Sequence, residues 1–144
     1  MENLDTINLL KECDAGAKMA VTSIDEVLEK VSDAKLKQFL QDSKEEHEKL
    51  EREIYALLKV HHESEKEPSP MAKGMSWMKT NMKLGMDDSD STVADLITDG
   101  CNMGIKSLNG FLNEYENADE ESKSICKQLI ALEEQLCKEM KAYL

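Results

Sequence analysis

The chain has few aromatic residues and few residues that interrupt helices. Aromatic side chains make up 4% of its 144 residues, glycine occurs six times, and the only two prolines lie in Glu67-Pro68-Ser69-Pro70. A chain so poor in helix breakers and in the aromatic residues that strands favour is expected to form long helices. The composition therefore predicts an all-α protein with a single domain over residues 1–144.

Long apolar runs are also missing. No uninterrupted apolar stretch approaches the ~18 residues of a membrane-spanning helix, and the first residues show neither the basic nor the apolar part of a signal peptide. We therefore expect a soluble, cytoplasmic protein with no integral membrane segment. The net charge of −12 argues against nucleic acid as a partner, because it would repel phosphate groups over most of the surface.

The cysteines show no metal-binding or disulfide pattern. The chain has four of them, and no two are spaced as a C-x-x-C pair. Neither a disulfide framework nor a zinc knuckle is indicated. We expect them to be reduced, small and mostly buried side chains within helices. They are Cys13, Cys101, Cys126 and Cys137.

What the sequence does contain is apolar periodicity with alternating steps of three and four, which is typical of helices in a bundle. The predicted long helices are residues 6–31, 33–62, 92–116 and 118–143, and a short helix is predicted at residues 71–85. Residues suited to N-capping stand at their starts. They are Asp5, Ser32, Thr92 with Asp95 as a capping box, and Asn117 or Ala118.

The two halves of the chain are weakly similar. Cys13-Asp14-Ala15-Gly16-Ala17-Lys18 matches Cys101-Asn102-Met103-Gly104-Ile105-Lys106, and the stretch from His47 matches the stretch from Glu133. This order predicts two helical hairpins joined by a long connection. Such a connection is typical of a ferritin-like antiparallel four-helix bundle, here with a short extra helix in the crossover.

With these features the chain resembles a family of uncharacterised bacterial four-helix-bundle proteins with the ferritin-like fold. In that family the long crossover holds a short amphipathic helix. The matching features are the hairpin over residues 5–60, the run Gly74-Met75-Ser76-Trp77-Met78-Lys79, and the second hairpin over residues 92–144. The resemblance implies a fold and carries no reaction that could be transferred.

The sequence lacks the ligand motifs of a di-iron protein. Ferritin-like di-iron sites use a Glu from each of two helices and Glu-x-x-His from each of the other two. No histidine here has a glutamate three residues before it, and the last predicted helix has no histidine. Nor is there a nucleophile paired with a base, or a phosphate-binding loop. We predict a protein that is not an enzyme, with a degenerate di-metal site as the one catalytic alternative.

Four polar residues, one on each long predicted helix, fall at corresponding levels: Asp14, His47, Asn102 and Glu133. One interpretation is a buried cluster in which Asp14 or Glu133 accepts a hydrogen bond from His47 and so sets the register of the helices. The other is a degenerate or mononuclear metal site for iron, manganese or zinc. The sequence leaves both open.

Residues 71–86 hold most of the methionine and the only tryptophan. The methionines recur in steps of three and four, which places them on one side of a helix. Residues 68–86 contain three lysines and no acid, so they carry +3 against −15 for the rest of the −12 chain. We expect this segment to cover the core or to bind a partner, with an anionic membrane surface and copper(I) as lesser alternatives. The surface residues are Met71, Met75, Trp77, Met78 and Met82.

Small residues on the first and third long helices predict a close approach of their backbones, or a ligand cavity. They are Gly16, Ala17, Ala20, Gly100 and Gly104.

Taken together, the sequence predicts a non-enzymatic helical-bundle protein with a binding or structural role, which self-associates or binds a protein partner and uses no cofactor. The alternative is a metal-binding ferritin-like protein.

Overall fold

The computed structural model describes residues 3–63 and 89–144, and all regular structure within these two ranges is helical. Four α-helices pack together, and a short 3-10 helix, Lys141–Tyr143, follows the last of them. The all-α prediction is thereby confirmed for the described residues. The predicted crossover helix at 71–85 and its surface residues lie outside them. The helices are α1 Leu4–Leu28, α2 Ala34–Val60, α3 Asp90–Glu114 and α4 Glu120–Met140.

Each helix begins at an N-cap whose side chain accepts a hydrogen bond from the backbone N–H three residues later. The predicted caps are wrong by one to three residues. Several neighbouring residues can cap equally well, and the extended backbone that selects one of them depends on the preceding loop. The observed caps are Asn3 for α1, Asp33 for α2, Ser89 for α3 and Asp119 for α4.

The ends of α1 and α2 also differ from the predicted ones. α1 ends at Leu28, three residues early, because the cap of α2 at Asp33 leaves residues 29–33 to form the turn of the hairpin. α2 ends at Val60, where His62 adopts a φ of 58° and the Glu63 N–H donates to the Leu58 carbonyl at 2.9 Å. This left-handed closing turn satisfies a free carbonyl at the helix end.

Two apolar clusters fill the bundle, one towards each end. The first cluster comprises Leu9, Leu10, Cys13, Ala17, Leu50, Ile54, Leu58, Leu108, Ala118, Ile125, Cys126, Leu129 and Ile130. The second cluster comprises Ile24, Val27, Leu36, Leu40, Val93, Ala94, Ile97, Cys101, Leu136 and Met140. These are the inward faces of all four helices, as periodic burial requires.

The membership of the clusters determines the direction of each helix. The later halves of α2 and α3 meet in the first cluster, and their earlier halves meet in the second. The two helices therefore run in the same direction, whereas α1 and α4 run opposite to them. α2 ends and α3 begins at opposite ends of the bundle. The end of α2 and the start of α3 are thus separated by close to the length of a helix, roughly 40 Å for 27 residues.

A carboxylate near the start of each hairpin accepts hydrogen bonds from the turn of the other hairpin. Asp90 at the start of α3 accepts the backbone N–H groups of Ser32 and Asp33, at 2.8 and 2.9 Å. At the opposite end of the bundle, Asp5 on α1 accepts the N–H of Asn117 at 3.0 Å. Both turns are therefore anchored by hydrogen bonds to a charged acceptor, which are stronger than neutral ones.

The glycines are not placed where the sequence predicted a close helix crossing. A Cβ built on Gly100 would have no atom within 4 Å, and one on Gly16 would meet only Leu108 Cδ2 at 3.9 Å. The inward face of α3 passes through Cys101 and Leu108, which leaves Gly100 exposed. Small residues carry little hydrophobic signal, so the sequence could not show that Gly100 lies on the outer side of α3.

Candidate functional site

A polar layer separates the two apolar clusters. It consists of Ser43 and His47 on α2 and Glu133 on α4, and these three residues are 8%, 0% and 6% exposed. Along α2 the layer lies between Leu40 and Leu50, on the same helical face as those residues. Because polar side chains are costly to bury without partners, each member of this layer needs a hydrogen bond.

His47 uses both ring nitrogens. Its Nδ1 lies 2.7 Å from the Ser43 carbonyl oxygen, and its Nε2 lies 3.1 Å from Oε1 of Glu133. A carbonyl oxygen can only accept, so Nδ1 donates. An ionised carboxylate also only accepts, so Nε2 donates to Glu133. With Glu133 ionised, the arrangement is that of a buried imidazolium paired with a carboxylate.

The electrostatic surroundings agree with this assignment. Burial has the largest single effect and lowers the pKa of His47, because it disfavours the charged ring. The hydrogen bond and charge of Glu133, the Ser43 carbonyl and the charge of Glu51 act in the opposite direction. Together they outweigh burial, so the pKa of His47 is raised above its ordinary value.

Glu133 is also enclosed from the side of α3. A Cβ built on Gly104 would lie 3.5 Å from Cδ of Glu133 and 3.7 Å from each carboxylate oxygen. Burial and the negative charge of Glu133 raise the pKa of the Cys101 thiol, which keeps it protonated and able to donate. Gly104 thus leaves room for the carboxylate of Glu133 on α4. The sequence had instead predicted that Gly104 allows α1 and α3 to approach closely.

Two of the four polar residues predicted to form one site make different contacts. Asp14 on α1 is buried, and its Oδ2 lies 2.9 Å from Nζ of Lys18, one helical turn away. Asn102 on α3 is exposed, and its Oδ1 lies 3.6 Å from the Cys137 thiol. Of the predicted set, the structure brings His47 and Glu133 together. Of the two acceptors proposed for His47, Glu133 is the one observed.

The donors near His47 form an incomplete set for a metal ion. Over residues 3–63 and 89–144, no three side chains of His, Cys, Asp or Glu are grouped so that they could hold one. Zinc and iron sites in proteins use at least three such ligands. His47 and Glu133 supply two, and the prediction of a metal at this site stays a prediction.

Cys101 is the site residue that the sequence reasoning missed. It was interpreted only as a small buried residue, yet the charge of Glu133 in the polar layer acts on its thiol and helps to raise the pKa of Cys101. A usable signal was present, because Cys101 precedes Gly104 by three residues and therefore lies on the same side of α3. Gly104 corresponds to Gly16 in the internal repeat, and Cys101 corresponds to Cys13.

The raised pKa of His47 predicts that the protein loses stability as the pH rises from the ordinary pKa of 6.5 towards the higher pKa of His47 in the folded protein. A group whose pKa is raised by folding stabilises the folded state fully below its ordinary value of 6.5 and stops doing so as the pH rises through the folded value. The loss can reach about 1.4 kcal/mol per pH unit. Urea unfolding at several pH values in this range measures it. An equal slope in His47→Gln would contradict the assignment.

None of the helices in the described part of the chain is long and apolar enough to cross a membrane. Comparisons of the chain with models of protein families, with curated proteins and with solved structures found no match.

Proposed function

We propose that this chain is a non-enzymatic, cytoplasmic, ferritin-like bundle with a binding or structural role, and that its polar layer serves the architecture of the bundle. The observation that carries this proposal is the closed pairing of His47. Both ring nitrogens are occupied, by Ser43 and Glu133, and the ring is 0% exposed. A catalytic base or nucleophile has to reach a substrate, and this imidazole reaches only groups of its own chain.

The arrangement of the helices supports the ferritin-like part of the proposal. Two hairpins, α1 with α2 and α3 with α4, pack side by side, and α1 also contacts α3 while α2 contacts α4. α2 and α3 run in the same direction, so the chain between them joins opposite ends of the bundle. A single long crossover between two hairpins is the connection that distinguishes ferritin-like bundles from those with short loops throughout.

The thiols support a role without catalysis. Reactive cysteines are partly exposed and have a lowered pKa, because the thiolate is the nucleophile. Cys101, the thiol nearest to the polar layer, is 3% exposed and has a raised pKa. The polar layer therefore offers a potential substrate neither a free base nor an activated nucleophile.

The binding role is then assigned to the outer surface. On the outside of α3, the side chain of Met103 is 68% exposed beside the exposed Gly100 and Ser107. Flexible methionine side chains adapt to irregular partner surfaces. We include self-association or a protein partner in the proposal, with Met71, Met75, Trp77, Met78 and Met82 as the surface that the sequence indicates.

A metal-binding role is the second candidate, and one contact favours it. Histidines that bind metals commonly donate one ring N–H to a backbone carbonyl, which directs the other nitrogen towards the metal. The Nδ1 of His47 donates to the Ser43 carbonyl, and its Nε2 faces the Glu133 carboxylate. If Nε2 gave up its proton, these two groups would present a nitrogen and an oxygen ligand to iron, manganese or zinc.

Elemental analysis distinguishes the two candidates. We expect the protein, purified without a histidine tag, to carry no stoichiometric iron, manganese or zinc. We also expect added Zn²⁺ or Mn²⁺ to shift the Tm of wild type and His47→Gln equally. Wild-type protein with one equivalent of metal that is absent from His47→Gln would contradict the structural role. Glu134→Gln, which changes the exposed neighbour of Glu133, is the matched control.

A further inference from the structure

The two hairpins are related by an approximate two-fold axis that passes through the polar layer. His47 and Glu133, which meet there, are 86 residues apart along the chain. The same separation relates most of the buried residues of α2 to buried residues of α4. The related pairs are Leu36 and Ser122, Leu40 and Cys126, Ser43 and Leu129, His47 and Glu133, Leu50 and Leu136, and Ile54 and Met140.

The turns of the two hairpins follow the same symmetry. Asp33 and Asp119 cap α2 and α4, and each accepts the backbone N–H three residues later at 2.8 Å. Their own N–H groups are also used alike. Asp33 donates to a carboxylate oxygen of Asp90 at 2.9 Å, and Asp119 donates to Oγ1 of Thr6 at 2.8 Å. In both cases the acceptor lies in the first turn of the other hairpin.

The symmetry also exchanges the two apolar clusters. Leu50 on α2 lies in the first cluster, and its counterpart Leu136 lies in the second. Conversely, Leu40 lies in the second cluster, and its counterpart Cys126 lies in the first. The contact between the hairpins therefore resembles the interface of a symmetric dimer, in which both partners use the same surface. Such a surface also fits a copy of itself, so each hairpin could pair with the same hairpin of a second chain.

The pair on the axis distinguishes these alternatives. In the observed pairing, Nε2 of His47 lies 3.1 Å from Oε1 of Glu133. Two first hairpins would instead place two His47 side chains together, and two second hairpins would place two Glu133 side chains together. Two carboxylates in contact cannot both stay ionised, and a buried imidazolium without an anion keeps the cost of losing water. Both pairings of like hairpins are therefore penalised at their centre.

The other contacts between the hairpins make no such distinction. Away from the centre, the related buried residues of α2 and α4 are apolar residues, cysteine or serine, so like hairpins would bury similar surface. At the turns, the N–H groups of Asp33 and Asp119 would again meet a side-chain oxygen. Thr6 would supply it between first hairpins, and Asp90 between second hairpins. The difference in pairing thus depends on His47 and Glu133.

We propose that His47 and Glu133 select which hairpins associate. Their pairing favours a first hairpin packed against a second hairpin and disfavours the association of like hairpins from two copies of this chain. Single buried polar residues and charge pairs select partners in this way in coiled coils, where the wrong partner leaves a polar group without its complement. This selection rests on the structural role proposed above for the polar layer, and it identifies the partner that the layer excludes.

Refolding of a mixture of unlabelled and isotope-labelled protein tests the proposal. The mixed chains are unfolded in urea, refolded at high protein concentration and treated with a lysine cross-linker. Mass spectrometry then identifies cross-links between labelled and unlabelled chains. Those that join the same hairpin of two copies report the association of like hairpins. The same measurement on mixed protein that has not been unfolded gives the baseline, which includes any association through the outer surface.

Replacement of both central residues by leucine should remove the selection. In His47→Leu/Glu133→Leu, every pairing brings leucine against leucine, and we expect cross-links between like hairpins to increase about tenfold or more over wild type after refolding. A tenfold change corresponds to about 1.4 kcal/mol of discrimination. Glu133→Gln removes the penalty from second hairpins only, because two neutral amides can hydrogen-bond to each other, and should give a smaller increase. Glu134→Leu, at the exposed neighbouring position, should match wild type.

Two results would overturn the proposal. One is a double leucine variant with no more like-hairpin cross-links than wild type, and the other is wild-type protein that forms them as often as that variant. If circular dichroism shows that the double variant does not regain its helices, Glu133→Gln decides alone, and no increase in this variant would overturn the selection. The structural role of the polar layer would stand after such a failure, because stability measurements test the coupling of His47 and Glu133 separately.

Discussion

Replacement of His47 by leucine is expected to lower the free energy of unfolding by about 3 to 5 kcal/mol at neutral pH. The carboxylate of Glu133 is 6% exposed and lies 3.1 Å from the imidazole that would be removed. Leucine has a similar volume, so little cavity forms. The cost arises because the carboxylate loses its cation in a place that water does not reach. Urea unfolding followed by circular dichroism measures the change.

The double variant His47→Leu/Glu133→Leu should recover most of this loss. Removal of both charges abolishes the desolvation cost of the pair as well as its attraction, and such replacements lie close to neutral or are stabilising. The apolar clusters on either side would then join through the polar layer. We expect the double variant to lie within about 1 kcal/mol of wild type.

The difference between the single and double variants decides whether His47 and Glu133 act as a pair. Glu134→Leu, at the exposed neighbouring position, should change the stability by less than about 0.5 kcal/mol. Additive effects of His47→Leu and Glu133→Leu would show that the two side chains do not interact energetically. That result would remove the basis for assigning the polar layer to the architecture of the bundle.

Substitution of Asp90 by alanine should lower the free energy of unfolding by about 3 kcal/mol. One carboxylate oxygen accepts the Ser32 N–H at 2.8 Å and the other accepts the Asp33 N–H at 2.9 Å. Both amides belong to the turn of the other hairpin. Alanine would leave both amides without this acceptor, and the favourable charge in the first turn of α3 would also be lost. Chemical denaturation measures the loss.

Two further variants place limits on this prediction. Asp90→Asn keeps one oxygen acceptor in the same position and should lose about half as much. Asp5→Ala, at the opposite end of the bundle, removes the single bond to the Asn117 N–H and should cost about 1 kcal/mol. The two ends are far apart, so the effects of Asp5→Ala and Asp90→Ala should add. A loss below about 0.5 kcal/mol in Asp90→Ala would show that the turn is held by other contacts.

The inward face of α2 shows how much the sequence could predict. Steps of three and four along α2 predict an inward stripe of eight residues. The first six are buried, and the last two are half-buried. They are, in order, Leu36, Leu40, Ser43, His47, Leu50, Ile54, Leu57 and His61. Large apolar residues at a regular helical spacing lie on one face of the helix, and their surface is buried only when that face packs against the core. The two buried polar residues of the stripe, Ser43 and His47, were predicted to face the core from the same spacing.

The features that were missed share a physical cause. Gly100 was predicted to lie where α1 and α3 approach each other, and it is exposed, because small residues bury too little area to decide which side of a helix faces the core. The N-cap of α4 is Asp119, two residues beyond the predicted Asn117. Neighbouring polar residues have similar capping propensities, so the path of the preceding loop selects among them.

The sequence by itself determined that the described chain is helical and which faces of α1, α2 and α4 are buried, because apolar periodicity depends only on the spacing of residues along one helix. The tertiary structure alone decided that His47 pairs with Glu133 while Asp14 pairs with Lys18. These contacts depend on how far each helix is shifted and rotated against its neighbours, and residues on separate helices carry no record of that offset in their spacing.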